Sequence, residues 1–339
     1  MNIFGMTKQA LGDFFSEHGE NPAKADIVFD GFYRKNARSF ADLGLSPRVT
    51  ELLDSSFETT VPEVIKSSEA EDCSKLLLRL KDGETVETVL MRQKFGAWVC
   101  VSTEVGCSMG CSFCQSGRLK MRRRLAVDEM TGQLIAVMRD YNIRLSGISV
   151  MGIGEPFDNF DNVVDFCGIA SAAKGLEIGE KHITVSTCGI VPRIYEYADL
   201  AHPCNLAISL HAPTDELRDT LMPVNRAYPL EKLMSAAEYF SQKANRRVTL
   251  EYVMLCGVND EPLHAQQLAD LIAGRRFYVN IIPYNETDSQ FTQSPRERIM
   301  RFYDVLKKNG VGVTMRREFG SGVNGACGQL SSDYSGDKE

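Results

Sequence analysis

No stretch of this chain is apolar for the length that a membrane crossing needs, no fixed-period repeat recurs and no low-complexity tract interrupts it. Those absences exclude a helical membrane span, a solenoid and a chain too polar to fold. The first residues, MNIFGMTKQALGDFF, carry Lys8 as their sole cation, too little for an export signal, so a cytoplasmic protein is expected. In a reducing cytosol ten cysteines do not form a disulfide framework, which leaves metal or redox chemistry as their better use. A formal net charge of −7 argues against indiscriminate nucleic-acid binding but permits a local basic patch. With 43% hydrophobic and 24% charged residues, the 339-residue chain has the composition of an ordinary globular protein, large enough for a catalytic domain with a smaller companion.

Residues 1–72 read as a small helical module, with apolar residues recurring at three- and four-residue intervals over 7–18, 22–34 and 46–53. A hairpin about Asp82-Gly83, within 73–96, connects it to the larger C-terminal portion of the chain. From residue 97 to 330, apolar runs (WVCVS, GISVMGI, HITVST, NLAISL, RVTLEYVML, YVNIIPY, GVTMRR) alternate with amphipathic segments such as 127–140, 230–243, 263–273 and 295–308. Residues 331–339 are left as a tail. Such alternation specifies an α/β fold, a parallel sheet covered by helices that permits a partial barrel, with the active face at the C-terminal ends of the strands. Gly154-Glu155, Ser186, Ser209-Leu210-His211 and Asn285 all fall at such ends.

Also lacking is a fourth metal ligand beside GCSMGCSFCQSG, where Cys107, Cys111 and Cys114 stand close together. Structural zinc takes four ligands, and the next histidine after Cys114 is His182, so a zinc site requires long-range closure. A [4Fe–4S] cluster held by three thiolates instead leaves one iron open for a ligand.

The spacing Cys-x3-Cys-x2-Cys is similar to that of radical S-adenosylmethionine (SAM) enzymes. The ordered set VETVLM, CVSTEVGCSMGCSFC, VMGIGEPFDN, VSTCGIVP, LAISLHAP, LMPVN, YVMLCGVND and ACGQL, spread over residues 25–330, resembles the RlmN/Cfr family of radical SAM RNA adenine methyltransferases, most like its RlmN branch. The resemblance implies a radical-SAM partial barrel in which Cys107, Cys111 and Cys114 bind one [4Fe–4S] cluster. It implies that Gly154, Glu155, Ser186, Ser209, Leu210, His211 and Asn285 bind SAM, two molecules of which are used per turnover. It makes Cys327 the methyl-carrying nucleophile, Cys100 the thiol that resolves the transient protein–RNA adduct by forming a disulfide, and Glu87 the general base. On their own, Cys100 reads equally as an inward strand residue and Glu87 as an exposed hairpin acid. The family's common DIDAACGQL appears here as GVNGACGQL, residues 322–330.

Arg118, Lys120, Arg122, Arg123 and Arg124 follow the cysteine loop with no acid among them, which points to contact with RNA phosphate, although a charge run is commonly a solvated face. The resemblance implies 23S ribosomal RNA and also transfer RNA as substrates, carbon 2 of adenine as the methylated atom, and a reducing electron donor such as flavodoxin. No membrane partner is expected, and nothing favours a dimer over a monomer. Two alternatives stay open: a Cfr-type carbon-8 methyltransferase that confers antibiotic resistance, and a zinc-stabilised RNA-binding protein without catalysis. Metal analysis of anaerobically purified protein separates the last: about four irons and four sulfides per chain in a brown sample are expected for the enzyme, and zinc in a colourless sample would contradict it.

Overall fold

The computed structural model describes residues 1–286 and 290–316. One ten-stranded sheet organises it, in the order β1-β2-β3-β4-β7-β8-β9-β10-β11-β12. The strands are β1 (Glu63–Glu69), β2 (Cys73–Arg79), β3 (Thr85–Gln93), β4 (Gly96–Cys100), β7 (Leu145–Val150), β8 (Ile183–Thr187), β9 (Asn205–Ser209), β10 (Val248–Met254), β11 (Phe277–Pro283) and β12 (Gly312–Met315). From β4 to β12 every neighbouring pair is parallel and follows chain order. The crossovers run through α4 (Val127–Tyr141), α5 (Phe160–Ser171), α6 (Val191–Asp199), α7 (Asp215–Leu221) with α8 (Leu230–Lys243), α9 (Pro262–Leu271) and α10 (Arg296–Lys308). Repeated βα units of this kind wind into a partial (β/α) barrel, with its core between the sheet and the helices. The remaining two strands, β5 (Glu104–Val105) and β6 (Arg123–Arg124), form a separate short ribbon. Among the described residues no helix is long and apolar enough to cross a membrane.

The N-terminal module consists of α1 (Lys8–Glu17), α2 (Lys24–Phe29), α3 (Pro47–Ser56) and short helical turns. Thr7 caps α1 by accepting the Ala10 N–H at 3.2 Å. The module has its own core of Phe4, Leu11, Phe15, Phe29, Phe32, Phe40 and Leu53, which closes onto Ile135 of α4 and Ile169 of α5.

Within the segment read as helical, residues 63–69 form strand β1 instead. EVIKSSE has no buried residue and, among the described residues, pairs only with β2, so it carries no alternation of apolar side chains to mark it. Its polar character suits an edge strand, where exposed hydrogen-bonding groups invite unwanted pairing. The buried Leu76–Leu78 run of β2 beside it supplies the apolar surface.

Trp98 of β4 lies directly beside Gly147 of β7, and its indole covers that glycine: a Cβ at 147 would sit 2.5 Å from the ring. Gly147→Ala therefore should destabilise the protein by about 1–3 kcal/mol through overpacking. Chemical denaturation followed by fluorescence of Trp98, the chain's single tryptophan, measures this, and an unchanged midpoint would contradict the packing described.

Candidate functional site

Beyond β4 the backbone stays bonded to β7, with the Val101 N–H donating to the Ser149 carbonyl at 2.9 Å and the Thr103 N–H to the Ile153 carbonyl at 2.8 Å. The β5–β6 ribbon then closes residues 106–122 into a loop. Cys107 N–H donates to the Leu119 carbonyl at 3.3 Å. Gly106 adopts φ +79°, and a side chain there would meet the Lys120 carbonyl oxygen at 2.3 Å. A tether from the Ser112 N–H to the Leu221 carbonyl, 3.0 Å, fixes the loop to the end of α7. Cys107, Cys111 and Cys114 consequently line one cavity, together with Met109 and Phe113.

The strand ends supply the other walls: Gly154 and Glu155 after β7, Ser186 of β8, Ser209 and His211 at the end of β9, Glu251 of β10, Asn285 after β11 and Arg316 after β12. Gly154, at φ +108°, leaves space that Glu104 occupies. Glu155 ties two strand ends together, since its carboxylate accepts the Cys188 N–H at 2.7 Å and the Phe157 N–H at 3.0 Å. Its own N–H donates to the Glu104 carboxyl at 3.1 Å.

His211 sits at φ +59°, with its N–H bonded to the Glu251 carbonyl. Its carbonyl accepts from Asn259 Nδ2 at 2.8 Å, and its Nδ1 accepts the Val253 N–H at 3.0 Å. Burial pushes its pKa down to about 3, so the ring is neutral with its proton on Nε2, a hydrogen-bond donor for a bound molecule. Arg218, fully buried, draws the same strand ends together by donating to the carbonyls of Cys188 at 2.6 Å, Ser209 at 3.1 Å and Leu210 at 3.1 Å, and to Asn225 at 2.9 Å.

Burial pushes the Cys107 thiol up to about 12 and raises Cys111 as well, with the nearby Cys114 adding to both. An iron–sulfur cluster supplies the positive charge that turns such thiols into thiolates. Four thiols line the cavity, Cys188 after β8 and three from one loop; the three loop thiols, with no fourth ligand in the loop, suit a cluster with an open iron. The hydroxyls of Ser186 and Ser209, the imidazole of His211 and the amide of Asn285 suit the ribose and amino-acid groups of SAM. The residues therefore fit both groups.

Other expected site residues lie elsewhere. The Leu210 side chain is in the core, and only its backbone faces the strand-end network. Cys100 is buried at the end of β4, packed with Cys73, Val89, Met91 and Ile153. Glu87 is not an exposed hairpin acid: it is 5% exposed on β3, with the Lys75 ammonium 3.5 Å from its carboxylate. Long-range strand pairing, which a local reading misses, buries it. Cys327 lies outside the described residues.

The basic run is largely engaged with acids from other parts of the chain. Arg122 pairs with Glu84, Arg123 with Asp82 and Glu129, and Arg124 with Asp158, at 2.5–2.8 Å. Arg118 and Lys120 are exposed, just beyond the cavity-lining Ser116. His182 precedes β8, at the opposite end of that strand from the cysteine loop. Glu104, Arg218, Glu251 and Asn259 were missed by sequence reasoning. An acid such as Glu104 or Glu251 inside an otherwise apolar strand-like run was the available signal for two of them.

A parallel partial barrel with three thiols beside its C-terminal strand ends defines a radical SAM enzyme, and residues 101–269 match the radical SAM superfamily. A crystal structure of a radical SAM methyltransferase from Sphaerobacter thermophilus superposes with a TM-score of 0.91 at 36% identity, covering 98% of this chain and 99% of that one. The probable dual-specificity RNA methyltransferase RlmN of Enterococcus faecalis is 46% identical over 98% of this chain and 96% of its own length. Its namesake from Geobacillus kaustophilus is 46% identical over 97% and 92%. The chain belongs to the RlmN family of radical SAM methyltransferases, and as such it uses a [4Fe–4S] cluster and SAM.

Burial raises the Glu104 carboxyl from 4.5 to about 8. Because the folded-state value is the higher one, the stability this group contributes is present below about pH 4.5 and is lost as pH rises toward about 8. Compared with Glu104→Gln, the wild-type protein should lose stability progressively from pH 5 to pH 8 in anaerobic denaturation. Parallel pH profiles would contradict a buried neutral acid.

Proposed function

We propose that this RlmN-type RNA adenine methyltransferase methylates carbon 2 of an adenine in 23S ribosomal RNA, and also of an adenine in transfer RNA. The observation that carries the reading is the three-cysteine cavity at the strand ends of a chain 46% identical, over nearly its whole length, to relatives named as dual-specificity RNA methyltransferases. The motif GEPFDN favours carbon 2 over the carbon-8 alternative, and family membership favours the iron–sulfur enzyme over the zinc-stabilised binding protein.

Cys107, Cys111 and Cys114 would hold the cluster, which, reduced by a donor such as flavodoxin, would supply one-electron chemistry to bound SAM. Gly154, Glu155, Ser186, Ser209, Leu210, His211 and Asn285 hold and orient SAM, His211 donating from Nε2. Cys327 accepts the methyl group of one SAM, and a second SAM is consumed in activating that methyl group. The methylene carbon on Cys327 bonds to the adenine carbon and joins protein to RNA. Glu87 takes the proton from that carbon as the adduct gives up its unpaired electron, which would return to the cluster, and the ring regains its aromaticity. Cys100 then attacks the Cys327 sulfur, the carbon–sulfur bond breaks as the departing carbon takes a proton from solvent, and the methylated base leaves behind a disulfide that a thiol reductant reopens.

An aromatic carbon is too weak a nucleophile for direct methyl transfer, which is the chemical reason for this route. Arg118 and Lys120 contact RNA phosphate, whereas Arg122, Arg123 and Arg124 chiefly hold the loop in place. The helical module, residues 1–72, helps hold the RNA, residues 73–96 connect it to the catalytic unit 97–330, and the chain acts as a monomer.

Anaerobic incubation with SAM, a reductant and unmethylated RNA, followed by nucleoside mass spectrometry, should yield 2-methyladenosine. Cys327→Ala should abolish it while leaving the iron content unchanged, and Cys100→Ala should trap a protein–RNA adduct. 8-Methyladenosine as the product, or full turnover by the Cys327 variant, would overturn the reading.

A further inference from the structure

Lysine is seldom buried unless it is paired, yet Lys75 stands inside the run CSKLLLR of β2 with its side chain only 12% exposed. Strand register sets its neighbours. Lys75 lies directly opposite Val89 of β3, and Val89 lies opposite Cys100 of β4, so the three share one face of the sheet. Glu87, two residues from Val89 on the same strand, is on that face too and diagonal to Lys75, a separation that long side chains span. Their charged ends meet at 3.5 Å. The other face of these strands, with Leu76, Leu78, Val86 and Leu90, belongs to the main core.

Around the pair the face is apolar: Cys73, Val89, Met91, Cys100 and Ile153 form one cluster, and Met151, packed against it, also lines the cysteine cavity. The backbone of Glu87 is fixed to the same border, because Ser102 Oγ donates to the Glu87 carbonyl at 2.7 Å and accepts the Ile153 N–H at 3.0 Å. Ser102 thus places the backbone, and Lys75 holds the carboxylate. A general base has to be ionised before it acts, and burial among apolar groups works against that. An ammonium in contact works the other way, and a buried carboxylate that loses its cation takes up a proton instead. Lys75 stands one strand farther from the cavity than Glu87 does, so it acts through Glu87.

We propose that Lys75 is a positioning residue for the reaction: it fixes the Glu87 carboxylate and keeps it ionised, so that Glu87 can take the proton from the adenine carbon while Lys75 keeps its own. The proposal rests on the reading of Glu87 as the general base.

Decay of the covalent protein–RNA adduct tests it, in single-turnover reactions of the cluster-loaded enzyme with Cys327 already methylated. Lys75→Met, Lys75→Arg and Glu87→Gln are compared with wild type, on RNA carrying hydrogen or deuterium at carbon 2 of the target adenine. A general base contributes on the order of a hundredfold or more, so Lys75→Met and Glu87→Gln should each slow adduct decay by about tenfold or more. Formation of 5′-deoxyadenosine should be unchanged, the accumulated adduct should retain its deuterium, and the isotope effect on decay should rise above that of wild type. Lys75→Arg, which restores the charge, should restore most of the rate. A structural role alone would leave the isotope effect where it is, and that result would overturn the proposal. Wild-type decay in Lys75→Met beside slow decay in Glu87→Gln would overturn the role of Lys75 alone, whereas wild-type decay in Glu87→Gln would overturn the base reading and the proposal with it. A slowed adduct that has already lost its deuterium would place Lys75 with the attack of Cys100 and also overturn it. Should Lys75→Met not fold, Lys75→Gln carries the same test with the same outcomes.

Discussion

Cys107, Cys111, Cys114, Cys188, Glu155 and Glu251 line one cavity, with Glu104 packed behind Gly154, and burial drives Cys107, Cys111, Glu104, Glu155 and Glu251 alike toward their protonated forms. Ionising them all in a low-dielectric site would set like charges against one another, and burial opposes it in each. Metal ligands must be deprotonated, and cluster assembly on these cysteines is accordingly coupled to proton release.

Such a site needs strand ends whose positions do not drift. Parallel strands leave carbonyls unbonded where they stop, and here buried side chains take them up. Arg218 gathers the ends of β8 and β9, Asn259 holds the left-handed turn at His211, and Glu155 joins the turn after β7 to the one after β8. Their polar groups serve the geometry of neighbours that line the cavity. The cysteine loop is anchored by the same logic, through the β5–β6 ribbon at its base and the Ser112–Leu221 bond at its far side.

Local pattern carried much of this. The alternation of apolar runs and amphipathic segments shows the parallel sheet because each βα unit is contiguous in the chain, and the cysteine spacing shows the loop for the same reason. What escaped depends on distant partners. β1 is polar and exposed, and only β2 makes it a strand. Glu87 and Lys75 become a buried pair through the β2–β3 ladder. The basic run contains no acid in sequence, yet the hairpin turn, α4 and the segment before α5 bring acids to Arg122, Arg123 and Arg124. Arg218, in the charged stretch DELRDTL, is buried because the carbonyls it serves come from two strands that precede it.

On the proposed function, the three cysteines and the strand-end residues make one site in which cluster and SAM meet. Electron paramagnetic resonance of the anaerobically reduced, cluster-loaded protein, recorded before and after SAM is added, tests it most directly. SAM should change the cluster's spectrum, as its binding at an open iron within that cavity requires. An unchanged spectrum at a SAM concentration where binding is independently measured would contradict it.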